Sequence, residues 1–248
     1  MAATPNDTQP LEALADPAAV IPPAPPPAPA PPPAPTVDMT RTMVDPPPEH
    51  RPSSASMRAR PRARARGDEL IAELFETMHD LHFLHDAVDG SAFCLALALE
   101  KLGAHFGVVH LYDIDRREFV VASTRGPGAH VLLLHRYQEN EPLISAAMRK
   151  RRAVIVADAS HAGAASTARF APVAPVRSMI VAPVMQSGRF LGVIEIVNPV
   201  DGNPFTDDEA NALNYIAEQF AEFVATVGVV TDPERIAAAN AQQQAARR

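Results

Sequence analysis

The chain has 248 residues, a formal net charge of −7 and an apolar fraction of 47%, enough for one sizeable core or two small ones. Its 26 prolines are unevenly spread, 18 of them in residues 1–66, and residues 67–248 carry 15 basic and 23 acidic side chains, net −8. An acidic folded part argues against non-specific nucleic-acid binding by that part, because phosphate contacts need a basic surface. A single cysteine, Cys94, excludes an internal disulfide and the multi-cysteine zinc sites.

Residues 1–66 are expected to be a disordered tail. Ile21 to Pro35 is almost entirely Pro and Ala, without apolar periodicity. Ordering each residue costs roughly 1 kcal/mol of backbone entropy, which so little apolar area does not offset. Polyproline II is the expected conformation there. Arg58, Arg60, Arg62, Arg64 and Arg66 close the tail as a basic linker, either simply solvated or in weak contact with nucleic acid or another polyanion. The start MAATPNDTQP lacks the basic and apolar regions of a secretory signal, and no run approaches the roughly 18 apolar residues of a membrane span. A cytoplasmic protein is expected.

From Gly67 the pattern becomes periodic. Ile71, Leu74, Phe75, Met78, Leu81 and His82 recur at helical spacing after Asp68. A turn at Asp89-Gly90-Ser91 is the expected cap of a second, buried helix, FCLALALEKLGA. VVHLYD (108–113) and EFVVAST (118–124) read as a hairpin, and VLLLHRY as a further strand. A short helix from Pro142 to about Lys150, the strand AVIVAD and an Ala/Gly-rich loop from Ser160 to Ala168 come next. SMIVAPVM and RFLGVIEIVN are neighbouring strands joined at Gln186-Ser187-Gly188. The last long helix opens at Thr206, with Leu213, Ile216, Ala217, Phe220, Phe223, Val224 and Val227 as its apolar stripe. Residues 229–248 form a C-terminal tail whose Asp232-Pro233-Glu234 start signals a helix, expected to be frayed because its remaining residues are mostly Ala, Gln and Arg. The fold class is α+β: residues 67–228 form one domain with a central antiparallel sheet and the terminal helices on one face.

The segments LEKLGAHFGVVHLYD, VVASTRGPG, VIVADAS and RSMIVAPVMQSGRFLGVIEIVNP followed by FTDDEANAL, in this order and spacing, resemble the GAF domain, a small-molecule-binding and dimerising module. The resemblance covers about Asp68 to Val227. It implies a sheet of about six strands, with a ligand pocket on the face away from the terminal helices. Around that pocket the resemblance puts Ser123, Arg125, Asp158, Phe170, Arg177 and Ser178. The Asn-Lys-Phe-Asp-Glu signature of cyclic-nucleotide-binding members is matched only in part, by Asn198, Phe205 and Glu209, with Pro199 where the Lys would stand. Thr206-Asp207-Asp208-Glu209 reads more simply as a capping box worth ~1 kcal/mol.

No nucleotide-cradling or hydrolase motif occurs. Cys94 sits in the most apolar helix, where a lone thiol is inert, and its position does not resemble the loop cysteine of bilin-carrying relatives. Neither haem, bilin nor cyclic nucleotide is supported as a cofactor. His79, His82 and His85 repeat every three residues on the first helix; a helix-interface role is preferred to metal binding because no ligand set is assembled. The expected function is a non-catalytic regulatory protein that binds a small ligand or a protein partner. It would relay that event through terminal-helix homodimerisation to an unknown downstream protein. The alternative is a ligand-free interaction scaffold, its pocket filled by side chains, that presents the Pro-rich tail.

Overall fold

The computed structural model describes residues 67–160 and 167–246. The Pro-rich tail, the arginine linker and residues 161–166 of the Ala/Gly-rich stretch lie outside the described residues.

Helix α1 (Asp68–Met78) buries Leu70, Leu74 and Met78, one residue per turn. Phe75, expected on the same stripe, is 69% exposed. The chain then tightens into a 3-10 turn, His79–Phe83. There the three-residue spacing of His79 and His82 matches the helical period, so the two rings meet edge to face, centroids 6.2 Å apart. Helix α2 (Ala87–Leu102) starts earlier than the sequence suggests. Its cap is Asp86, whose carboxylate accepts the Val88 and Asp89 N–H at 2.8 and 3.0 Å. Gly90 is therefore inside the helix and serves close packing: a Cβ there would lie 2.5 Å from the Phe223 ring.

The sheet is antiparallel throughout, with strands β1 (Ala104–Asp113), β2 (Glu118–Arg125), β3 (Arg136–Gln138), β4 (Val154–Val156), β5 (Met179–Gln186) and β6 (Arg189–Pro199) in spatial order β3-β2-β1-β6-β5-β4. Of the expected strand VLLLHRY, Val131 and Leu132 belong to a 3-10 turn, Ala129–Leu132, and Arg136 and Tyr137 to β3, whose ladder with β2 covers Arg136–Gln138. Gly126 turns the chain out of β2 at φ 106°, where a Cβ would strike the His105 carbonyl at 2.4 Å. Ala129 and Leu132 then bury against the sheet instead of extending it.

Helix α3 (Pro142–Lys150) precedes β4, and the sheet is followed by α4 (Asp207–Val227) and α5 (Pro233–Ala246). Alternation assigns each strand residue to one of two cores. On one face Val109, Leu111, Val120, Ile194 and Ile196 pack with Leu95 and Leu102 of α2 and Leu213, Ile216 and Phe220 of α4. On the other, Phe106, Val108, Phe119, Val121, Val193 and Val197 pack with Phe170 and with Ile144 and Ala147 of α3. The register slips by one residue opposite Val109 and His110. This bulge lets Ala122 and Ser123 both face the helices. Helix α5 clasps it from outside: Ile236 is buried, and the buried Asn240 amide donates to the Ala122 carbonyl at 2.8 Å.

Candidate ligand-binding site

The sheet face away from α2 and α4 is apolar except at its centre. On β6 the inward positions run Val193, Glu195, Val197, and on β1 Phe106, Val108, His110. Val108 pairs directly with Glu195, so His110, two residues further along the same face, is its diagonal neighbour. The Glu195 and His110 side chains are 0% and 1% exposed, with Nε2 2.8 Å from Oε2. A buried carboxylate needs more than one imidazole to compensate its lost hydration. The rest comes from Arg169, 6% exposed, in the 3-10 turn Ala168–Phe170, whose Nη2 reaches the other Glu195 oxygen.

Arg169 is shared. Its Nη1 donates to Oε1 of Glu141, a side chain 12% exposed whose second oxygen caps α3 by accepting the Ile144 N–H at 2.9 Å. The guanidinium carbon lies 4.7 Å from the Phe170 ring centroid and 5.9 Å from that of Tyr137 on β3. Tyr137 also stacks edge to face on His110 at 5.6 Å. Two acids on separate elements thus hold the two terminal nitrogens of one planar cation that lies over two aromatic rings.

Burial alone would raise the Glu195 carboxyl, but Arg169 and then His110 override it and hold it down to about 2. For Glu141 the balance reverses: burial outweighs Arg169 and pushes it above the ordinary carboxylate range. Burial works against the charge of Arg169, and Glu195 and Glu141 more than restore it. Beside this cluster is a cavity of about 360 Å3 with Phe106, Val173, Ala174, Arg177 and Asn198 in its walls. Phe106 is common to both, its ring edge to face with Phe170 at 5.7 Å.

The model of one family, the GAF domain, matches residues 91–225. The chain belongs to the GAF domain family. Solved GAF domains of phosphoenolpyruvate-protein phosphotransferases share its fold. For that from Coxiella burnetii the TM-score is 0.56 at 18% identity, over 63% of this chain and 93% of the other. For that from Acinetobacter it is 0.55 at 16% identity, over 66% and 99%. The free methionine-R-sulfoxide reductase of Neisseria meningitidis, solved with its substrate, is similar in fold with a TM-score of 0.52 at 22% identity, over 66% and 95%. No curated protein matches the chain in sequence.

In this GAF domain the pocket candidates scatter. Phe170 lies in the pocket-side core. Ser123 does not: the bulge turns it toward α2, where its hydroxyl contacts that of Ser91. Arg125 follows it to the helix side and lines a cleft with Asp89, Phe93 and Gln243. Asp158 is exposed and accepts the Ser160 N–H at 2.9 Å in a local turn. Ser178 is buried and accepts the Phe205 N–H at 3.2 Å, tying down the entry to α4. Only Arg177 reaches the cavity beside Phe106.

The partial cyclic-nucleotide signature has local structural work. Asn198, at φ 57°, accepts the Arg177 N–H at 2.7 Å and donates to the Pro175 carbonyl at 2.9 Å. Phe205 fills the helix-side core. Glu209 accepts both the N–H, at 2.8 Å, and the hydroxyl of Thr206 at the start of α4. Sequence reasoning missed His110, Tyr137, Glu141, Arg169 and Glu195. The sign available for two of them was a polar residue at an inward position of an otherwise apolar strand.

Proposed function

We propose that this GAF domain is a non-catalytic regulatory module whose ligand chamber is the Glu195 face of the sheet, and that occupancy there alters the packing of the terminal helices. The observation that carries the reading is the two-sided role of β6. Glu195 faces the chamber, while its neighbours Ile194 and Ile196 face the core that contains Leu213, Ile216 and Phe220 of α4. A displacement of the charge cluster passes through one strand to the helices, and a preference of ~1–3 kcal/mol for one arrangement makes a useful switch. The non-catalytic reading is supported by Cys94, the chain's one thiol, which is fully buried in α2 and pushed far above its ordinary range.

For the relay we propose a homodimer built on α1 and the turn that follows it. Phe75 and Phe83 are each 69% exposed there, an apolar surface that a second copy would cover. The rival reading, a scaffold without ligand, is favoured by one feature: Arg169 already fills the centre of the chamber. Native mass spectrometry of the protein isolated from its own cells, combined with hydrogen exchange across α1 and α4, tests the proposal. A bound small molecule whose removal changes exchange in α4 is expected. A protein that carries no small molecule, and whose α4 exchange responds to none, would establish the scaffold instead.

A further inference from the structure

We infer that Glu195, Glu141, Tyr137 and Phe170 form a receptor for a guanidinium group, that Arg169 occupies it as a tethered pseudo-ligand, and that the domain's free ligand is a small guanidinium-bearing molecule competing for the same cage. The inference rests on the ligand-chamber reading above and names the chemistry of that site.

The geometry argues for a guanidinium rather than for any cation. Nη1 and Nη2 serve two carboxylates carried by different elements, β6 and the α3 cap, while the guanidinium carbon lies against two aromatic faces. A planar fork satisfies all four contacts at once; an ammonium, a point charge with tetrahedral donors, does not. Each receptor group has an anchor besides Arg169. Glu141 is fixed by the Ile144 N–H, Glu195 by His110, and Tyr137 by the pairing of β3 with β2. The occupant comes from a three-residue turn outside the sheet, anchored by Phe170 against Phe106.

Two further features suit a free molecule. Among the described residues, the buried Nδ1 of His110 has no hydrogen-bond partner, leaving a polar position beside the cage for a second ligand group. The adjoining cavity of about 360 Å3 has room for an alkyl chain along Phe106 and Val173. Tethering gives Arg169 a high effective concentration, so a free guanidinium must bind more weakly to the native protein than to one whose cage is vacated.

The test is titration of the full-length R169A variant with methylguanidine, followed by calorimetry and melting temperature, with methylammonium at equal ionic strength as control. Expected are saturable binding with a rise in melting temperature, a response to methylguanidine about tenfold or more weaker in the native chain, and none in the R169A/E195Q double variant. If R169A does not fold alone, recovery of its native circular dichroism by methylguanidine and not by methylammonium is the supporting result. Folded R169A that ignores methylguanidine, equal responses to the two cations, or a response undiminished by E195Q would overturn the inference. Methylguanidine binding that leaves α4 exchange unchanged would uphold the cage and refute the relay. A different molecule that occupies the chamber and changes α4 exchange, with methylguanidine inert, would do the reverse.

Discussion

Replacing Glu195 with Gln keeps the shape of the side chain and removes its charge. Arg169 then stays buried and loses one of its two carboxylate partners among the described residues, keeping Glu141, and His110 loses an anion. The carboxyl is held down from an ordinary 4.5 to about 2, and at about 1.4 kcal/mol per tenfold this corresponds to roughly 3 kcal/mol of stability at neutral pH. Breaking one side of a buried ion pair costs a similar ~3–5 kcal/mol. Because the folded value is the lower one, this contribution is complete above about 4.5 and disappears as the pH falls toward 2. Glu141, shifted upward by burial, has the opposite sign: its ionisation costs stability at neutral pH, and that cost is relieved in acid. Urea unfolding of the native chain and E195Q, followed by circular dichroism from neutral pH downward, should show a gap of about 3 kcal/mol that narrows below about pH 4.5. A gap independent of pH, or a variant as stable as the native chain at neutral pH, would refute the electrostatic account of this cluster.

Gly90→Ala should lower stability by about 1–3 kcal/mol in thermal unfolding, although alanine is the better helix former by ~1 kcal/mol, because the new Cβ meets the buried rings of Phe223 and Phe220. An increase in melting temperature would show that those rings move aside freely. Cys94 should resist iodoacetamide in the native protein and react only as fast as α2 opens; rapid labelling of the folded chain would contradict its burial. Sedimentation should give a dimer for the native chain and a monomer of similar melting temperature for F75S/F83S, each ring contributing about 1.5–3 kcal/mol when covered. A native chain that sediments as a monomer would remove dimerisation from the proposed relay.

The layered fold was readable wherever a residue's environment is set by its immediate neighbours in the chain. β-branched and aromatic residues bounded by polar turns in VVHLYD, EFVVAST and GVIEIVN marked strands, and Thr206 with Glu209 marked the start of α4, because strand preference and cap are local physics. VLLLHRY misled because an apolar run signals burial, not conformation: Leu132 is buried from a 3-10 turn as completely as it would be from a strand. Ser123 and Arg125 were assigned to the wrong face because a one-residue bulge reverses every later position, and nothing in EFVVASTR marks it. The charge cluster was half visible. Glu195 and His110 interrupt apolar strands, a pattern that calls for a partner; the partner, Arg169, comes from a stretch without periodicity, and only tertiary structure brings it to them.

The clasp of α5 on the β2 bulge sets where this domain ends. The family match stops at residue 225, yet Asn240 neutralises the Ala122 carbonyl, and Gln243 holds Asp89 in the first turn of α2 at 3.1 Å. A chain shortened to Gly228 would retain every strand and still expose the irregular stretch of β2 to water. The packing of this domain therefore continues past its family outline, and a comparison of its stability with that of relatives is fair only when the last helix is included.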